Sequence, residues 1–354
     1  MDFEVSEDQE SLREISRSML AAHCPPALVR ALGHAEQDVD DKLWRLGADL
    51  GWLGLVVEER LDGAGQGIVE LCLVAEELGR AAAPGPFAES ALAARAISGA
   101  PAAPAGVLDD LMAGAVRATW VDGSELSAEP TADGLVLTGT AAAVHAAGSA
   151  DWLLVCAGPV GSPCLALVPR TAVASTRRTT LDETRRWHRV DFEDVTVAAE
   201  HLLPYATEEA RQLSDAATLV MAADSLGVGE RLLEMTRDYV VVREQFDRPL
   251  GSFQSVKHKL ADMLATLKGA RAAVYYAAMA LDAGTSDASR AVSVAKAFTS
   301  EGVSALASEA LQTHGGIGFT WEHDLHLFLR RAKVDELLFG APAEHHERVL
   351  ALTE

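Results

Sequence analysis

Hydrophobic residues recur at helical spacing along the first third of the chain. They fall three or four residues apart, as in Leu12, Ile15 and Met19, which is the spacing of one face of a helix. Prolines and a glycine-rich run at 61–67 interrupt the pattern, as they do between helices. The sequence therefore predicts an N-terminal helical domain over residues 1–115.

Short apolar runs separated by turn residues replace this spacing further along. Such runs, without helical segments between them, are typical of strands. A series of them indicates a compact β-barrel or sandwich, and we predict a β-barrel domain over residues 116–204. The runs lie at 118–121, 134–138, 152–157, 164–168 and 189–192.

Helical spacing returns after residue 204 and continues almost to the end. Three long helices are predicted, over 207–242, over 252–281 and from a cap at Ser286 or Asp287 to His314, with a shorter one over 324–338. Long helices side by side form a four-helix bundle, which we place in residues 205–354. The predicted fold class is mainly α with a central β domain.

The net charge of the chain indicates which classes of partner it does not bind. The 354 residues include 52 acidic and 30 basic side chains, for a net charge of -22. Such a surface repels nucleic acid and anionic membranes. No apolar run reaches the ~18 residues of a membrane span, and the N-terminus lacks the pattern of a signal peptide. We therefore expect a cytoplasmic protein that binds neither nucleic acid nor a membrane.

Cysteine and histidine spacing does not indicate a metal site. The four cysteines form no C-x-x-C pair and are predicted to be buried, reduced hydrophobic residues. His323 directly follows Glu322, and His326 lies three residues after His323. This spacing is not the H-E-x-x-H zinc pattern. The cysteines are Cys24, Cys72, Cys156 and Cys164.

The turn between the first two long helices concentrates forked donors and aromatic rings. Arginine forms bidentate hydrogen bonds with phosphate oxygens, and phenylalanine offers a flat face to a heteroaromatic ring. This set suits a nucleotide diphosphate, although an arginine at a helix end is more often a solvated cap. The residues are Arg243, Gln245, Phe246, Arg248, Phe253 and Gln254.

A second segment with candidate chemistry follows the third long helix. Gln312 precedes Gly315, Gly316 and Gly318, and glycines allow a backbone to approach another surface closely. The segment follows a helix and lacks the G-x-G-x-x-G order, so neither a Rossmann turn nor a P-loop is indicated.

Both segments resemble the C-terminal bundle of the acyl-CoA dehydrogenase family, in REQFDRPLGSFQSVKHKLADM and QTHGGIGFTWEHDLHLFLRRA. The resemblance extends over essentially the whole chain. It implies FAD as cofactor, an acyl-CoA substrate, and removal of an α proton with hydride transfer from the β carbon to the flavin.

The resemblance also assigns cofactor-binding residues at a subunit interface. Carried over by position, Arg243, Phe246 and Gln254 would come from one protomer. Gln312, Gly315 and Gly316 would come from its neighbour.

The family's catalytic carboxylate is missing at both positions where members carry it. Counting through the motifs places Phe339 at one and Ala217 at the other. The family's flavin-ring contacts also differ, since alignment on Leu137 puts residues 143–145, Ala-Val-His, where Trp-Ile-Thr is common. Ala341 replaces the family's threonine after the last glycine.

Three functions remain open from the sequence. The chain is one subunit of a heteromeric dehydrogenase whose homologous partner supplies the base, a homo-oligomer with an unusual base, or a binding or scaffolding protein. Asp215 is the nearest substitute base, with Glu336 behind it. A free-standing enzyme without a positioned base would lose ~10²–10⁴ in rate, which favours the heteromer.

By analogy, the chain is similar to subunits of actinobacterial heteromeric enzymes that act on steroid side-chain CoA thioesters. This resemblance implies a tetramer, a role in fatty acid or steroid catabolism, and an external electron acceptor.

Overall fold

The computed structural model describes residues 5–100, 106–158, 164–203, 205 and 207–353. The first helices are α1 (Glu7–His23), α2 (Pro26–His34), α3 (Asp41–Asp49), α4 (Ile68–Arg80), α5 (Phe87–Ser98) and α6 (Val107–Met112). The strands that follow are β1 (Ala118–Gly123), β2 (Ser127–Thr131), β3 (Gly134–His145), β4 (Trp152–Ala157), β5 (Cys164–Pro169), β6 (Ala174–Arg178), β7 (Trp187–Ala198) and β8 (Leu202–Leu203). The remaining elements are α7 (Thr207–Val242), a hairpin of β9 (Glu244–Gln245) and β10 (Arg248–Pro249), α8 (Gln254–Asp282), α9 (Ala288–His314), α10 (Leu325–Asp335) and α11 (Pro342–Ala351).

This order confirms the predicted fold class of helical ends around a central β region. The division at residues 115 and 204 stays a prediction.

Helices α4 and α7 cross with their backbones in contact. A Cβ on Gly79 would lie 1.9 Å from the carbonyl oxygen of Asp224, and one on Gly227 would lie 1.8 Å from that of Glu76. Any side chain at either glycine would therefore push the helices apart. The crossing explains why most of α4 and the middle of α7 are buried.

The β region consists of two four-stranded sheets, in the orders β1-β4-β5-β8 and β2-β3-β7-β6. β1 and β4 pair in parallel and the other neighbours are antiparallel. Inward residues of both sheets, such as Val121 and Leu137, share one apolar cluster. All five predicted runs lie within strands. β2 and β6 were not predicted, because their side chains are mostly exposed and form no apolar run.

The bundle agrees with the predicted helices except at some ends. α7 has the predicted bounds and α9 ends at His314 as expected. α10 ends at Asp335 rather than at 338, and α11 was not predicted. Asp287 is the N-cap residue of α9, as predicted, but its side chain makes no capping hydrogen bond. Its carboxylate accepts instead from Tyr276 and Thr285.

The prediction that all four cysteines are buried is wrong for two of them. Cys24 and Cys72 are buried, but Cys156 and Cys164 lie on β4 and β5 with intermediate exposure. Burial raises the pKa of Cys24 and of Cys156 to about 12, so both thiols stay protonated at neutral pH.

The described residues include neither a membrane-spanning helix nor a metal-binding group of side chains. No helix among them is both long enough and apolar enough to cross a membrane. Within the same ranges, no group of three or more histidine, cysteine or acidic side chains is placed to hold a metal ion.

A buried cluster of charges joins the helical ends to the sheets. The guanidinium of Arg331 donates to both carboxylate oxygens of Asp224, at 2.9 and 2.5 Å. It also donates to the carbonyl oxygen of Ala83 at 3.0 Å and to Thr184 Oγ1 at 3.1 Å. A single side chain thus contacts the segment after α4, the segment before β7, and α7.

Arg185 extends the cluster by pairing with Asp182 at 2.8 Å and with Asp335. Two arginines therefore face the three buried carboxylates of Asp182, Asp224 and Asp335. Burial raises the pKa of Asp335 to about 7, and the Asp224 carboxylate acts in the same direction while Arg185 opposes it. Asp335 therefore holds a proton more tightly than an exposed aspartate does.

Replacing Arg331 should destabilise the fold strongly. Arg331→Met leaves Asp224 buried without its partner, and we expect a loss of ~3–5 kcal/mol in the free energy of unfolding. Arg330→Met is the matched control, because Arg330 is partly exposed and pairs with Glu183 at 3.2 Å at the surface, where a pair contributes ~0–1 kcal/mol. Urea unfolding measures both; equal losses would contradict the prediction.

Candidate functional site

The two motif segments meet at one end of the bundle. The ring of Tyr239 stacks on that of His314, with centroids 4.5 Å apart. Tyr239 lies one turn before Arg243, whose amide donates to its carbonyl at 2.9 Å, and His314 is directly followed by Gly315. The segments are neighbours within one chain, and their division between two protomers stays a prediction.

The turn after α7 presents its side chains to solvent. Arg243 and Gln254 are exposed, and 85% of the Phe246 side chain is accessible. Phe246 has a φ of 54°, a conformation that is unfavourable for a bulky residue. The Arg248 guanidinium lies 3.9 Å from the centroid of Phe253. The turn therefore combines an exposed aromatic ring with an unfavourable backbone conformation.

The glycine segment after α9 offers accessible backbone. Gly315 has a φ of 63°, and a Cβ at Gly315 or at Gly316 would meet no atom within 4 Å. Gln312 precedes them on the exposed side of α9. Phe319 and Trp321 are also largely exposed. The six predicted cofactor-binding residues thus lie at one polar and aromatic end of the chain, with open space in front of the glycines.

The two positions that lack the expected carboxylate lie around one cavity. Ala217 on α7 and Phe339 after α10 both line a cavity of about 40 Å³. Phe339 has a φ of 57°, an unusual conformation for phenylalanine. Neither side chain can accept a proton, and their assignment as the family's two base positions stays a prediction.

The substitute base predicted from the sequence is tied to other residues. Asp215 is buried and accepts hydrogen bonds from Arg348 at 2.6 Å and from Ser289 at 2.5 Å. These contacts fasten α11 to α7. Glu336 accepts from Ser304 at 2.5 Å. Both arrangements favour structural roles, and a catalytic role for Asp215 stays a prediction.

A larger cavity lies where the resemblance places the flavin ring. Its volume is about 300 Å³. Ala142 and Ala143 on its wall carry no side-chain donor, while His145 and Trp187 do. The wall therefore lacks a side-chain donor at 142 and 143, although the hydroxyls of Ser124 and Thr140 also line it. The lining also includes Ser124, Glu125, Met221 and Phe339.

Sequence reasoning missed a buried pair at this cavity. His145 Nδ1 lies 2.6 Å from Glu89 Oε1, and His145 is 6% exposed. Glu89 is on α5 and His145 ends β3, so no local spacing signals the contact. The one signal in the sequence was the resemblance, which aligned His145 with a flavin-ring contact of the family.

Lys296 fixes the segment that carries Phe339. Its ammonium is fully buried and donates to Ser300 Oγ at 2.8 Å. It also donates to the carbonyl oxygens of Asp335, Glu336 and Gly340 at 3.0, 3.3 and 3.2 Å. Burial lowers the pKa of Lys296 to about 8.

Comparisons with known proteins show similarity to acyl-CoA dehydrogenases at both ends of the chain. The family model for the acyl-CoA dehydrogenase N-terminal domain matches residues 6–113, and the model for the C-terminal domain matches residues 211–351. The acyl-CoA dehydrogenase IpdE2 of Mycobacterium tuberculosis is 34% identical over 340 residues, covering 96% of this chain and 95% of the relative.

Two solved structures are similar over nearly the full length. The ChsE4-ChsE5 complex from Mycobacterium tuberculosis contains a chain with a TM-score of 0.90 and 31% identity, covering 99% of this chain and 98% of that chain. A variant of the Tcur3481-Tcur3483 steroid ACAD gives a TM-score of 0.90 and 30% identity, with the same coverage of 99% and 98%.

The buried ammonium of Lys296 should make stability depend on alkaline pH. The pKa of about 8 in the folded chain lies below the ~10.4 of a free lysine, so the unfolded chain binds the proton more tightly and folding becomes more favourable as pH rises between these values. From pH 7.5 to 9.5, the wild type should gain ~1–2 kcal/mol relative to Lys296→Met. Urea unfolding at each pH measures the difference, and parallel pH profiles would refute the prediction.

Proposed function

The chain belongs to the acyl-CoA dehydrogenase family, and we propose that it is one subunit of a heteromeric, FAD-dependent acyl-CoA dehydrogenase. In this assembly a homologous partner supplies the general base and the contacts to the flavin ring. The observation that carries the proposal is a contrast within one chain. The interior cavity has Ala217 and Phe339 at the two predicted base positions, whereas the exposed end carries all six predicted cofactor-binding residues.

The missing base matters because the reaction begins with loss of an α proton. That proton is weakly acidic, and a positioned base contributes ~10²–10⁴ to such a step. A methyl group and a phenyl ring cannot accept it. The carboxylate of Asp215 is occupied by Arg348 and Ser289, which weighs against the homo-oligomer with Asp215 as its base.

The exposed end fits the diphosphate part of FAD. Among the described residues, the Arg243 guanidinium has no hydrogen-bond or ion-pair partner, so its donors are available to phosphate oxygens. The open backbone at Gly315 and Gly316 admits close approach of a ligand, and Gln254 and Gln312 add amide groups. FAD held by these residues would supply the hydride acceptor for the β carbon. This retained set argues against a scaffold without a cofactor.

The similar structures support a heteromeric assembly. ChsE4-ChsE5 is a complex, and Tcur3481-Tcur3483 is a steroid ACAD. We extend both features to this chain, as a heterotetramer acting on a steroid-type or fatty acyl-CoA thioester. An external electron acceptor reoxidises the flavin, and the assembly works in the cytoplasm.

Cofactor content of the single chain tests the heteromer. Expressed alone, the chain should hold little FAD and should not oxidise acyl-CoA, because the ring contacts and base are missing. Co-expression with a homologous gene from its genomic neighbourhood should restore both the flavin absorbance and turnover. The partner expressed alone is the control. Full flavin occupancy with turnover from this chain alone would disprove the heteromer.

Arg243 tests the cofactor-binding end in the co-expressed complex. Arg243→Gln removes charge-assisted bonds worth ~1.5–3 kcal/mol, so we expect the affinity for FAD to fall about 10–100-fold by equilibrium dialysis. Arg237→Gln is the matched control, since Arg237 is exposed on the same end of α7 and contacts only Asp238 at 2.8 Å among the described acidic residues. Equal affinities for the two variants would exclude Arg243 from the site.

A further inference from the structure

Three aromatic rings connect the two cofactor-binding segments. The ring of Tyr239 on α7 stacks on that of His314 at the end of α9, with an interplanar angle of 21°. The His314 ring in turn contacts that of His323, whose centroid lies 4.9 Å away at an angle of 62°. Aromatic rings at such separations attract one another beyond the burial of their surface. We call these three residues the ring stack.

Hydrogen bonds fix the orientation of both histidine rings. Nδ1 of His314 donates to the carbonyl oxygen of Ala310 at 2.8 Å, and His314 is 2% exposed. Nδ1 of His323 accepts from the amide of Leu325 at 3.2 Å. Burial lowers the pKa of both imidazoles, so the two rings meet as neutral groups at pH 7. Their contact is therefore free of repulsion between imidazolium ions.

The two histidines stand at the ends of the loop that carries the glycines. This glycine loop, residues 315–322, runs from one ring to the other, and the ring contact closes it as the ends of compact surface loops are closed. Gly318 folds back on the start of the loop, since a Cβ there would lie 3.1 Å from the Cβ of His314 and 3.0 Å from Leu311 Cδ1. The glycine loop is thus held at both ends and in its middle.

The part of the glycine loop that stays open is the part predicted to bind FAD. A Cβ on Gly315 or Gly316 would meet no atom within 4 Å. Glycine loses more backbone freedom on ordering than any other residue. A loop that is already ordered when a ligand arrives does not lose that freedom on binding. Order in the glycine loop therefore raises the affinity for a ligand that its backbone binds.

We propose that the ring stack positions the glycine loop for FAD. Tyr239, His314 and His323 are positioning residues, because they act through the backbone of the loop and not on the reacting atoms. The amide of Arg243 donates to the carbonyl oxygen of Tyr239, so the stack also fixes the glycine loop relative to the turn after α7. This role rests on the FAD-dependent function proposed above and adds three residues to those that determine the affinity for FAD.

The affinity for FAD in the co-expressed complex tests the ring stack. Tyr239→Leu removes the flat ring on which His314 lies, and the affinity should fall about 3–10-fold by equilibrium dialysis, the range expected for one aromatic pair. Tyr239→Phe keeps the ring and should bind FAD as the wild type does. Equal losses in the two variants, or no loss in either, would overturn the proposal.

His323→Asn tests the other end of the stack and covers the case in which Tyr239→Leu does not fold. The side-chain oxygen of asparagine can still accept from the amide of Leu325, but it offers no ring to His314. The affinity for FAD should again fall about 3–10-fold. Wild-type affinity in this variant would contradict the role of the ring contact.

Tyr276→Leu is the matched control, since it makes the same exchange on α8. Tyr276 is half-buried, as Tyr239 is, and donates to the carboxylate of Asp287 at 2.7 Å, outside both cofactor-binding segments. This variant should keep the wild-type affinity for FAD. A loss equal to that of Tyr239→Leu would show that loosening of the bundle alone weakens binding, and would overturn the specific role of the stack.

Hydrogen exchange in the FAD-free complex measures the order of the glycine loop without the cofactor. Amides of residues 315–322 should exchange faster in Tyr239→Leu and in His323→Asn than in the wild type or in Tyr239→Phe. Unchanged exchange would overturn the proposal. A wild-type complex that binds no FAD would refute the proposed function together with this role. Tight FAD binding by the wild type and by both ring-deleting variants would refute only the role of the ring stack.

Discussion

The guanidinium of Arg331 is the contact on which the arrangement of helices and sheets depends. It donates to Ala83, Thr184 and Asp224, which belong to three separate parts of the chain. Such a buried ion pair stabilises the fold only when all of its partners are present. Because Arg331 and Asp224 also line the smaller cavity, the contact that fixes the architecture is part of the cavity wall.

The proposed function assigns different roles to the exposed end of the bundle and to its interior. At the exposed end, Arg243 and the glycines after α9 offer donors and open backbone that suit a diphosphate. In the interior, an alanine and a phenylalanine stand at the two predicted base positions. A subunit that contributes to a site centred in its partner needs only the first set. In the proposed heteromer, the same fold therefore serves without a base of its own.

The sequence predicts those features that depend on local pattern. The bounds of α7 and the end of α9 follow from helical spacing and glycines, and the two motif segments are continuous in sequence. β2 and β6 were missed because their side chains are mostly exposed and show no alternation. The contact of Glu89 with His145 brings together residues 56 positions apart, so it depends on how the helices pack against the sheets and has no local signature.

The exposed, strained Phe246 has a consequence for the supply of this protein in a cell. Its ring adds apolar surface to water, and the rings of Phe319 and Trp321 are also largely exposed. A partner that binds the folded form stabilises it by mass action. In the heteromer proposed above, the amount of folded chain then depends on the supply of its partner, and a surplus of this chain is a substrate for proteases rather than a reserve of enzyme.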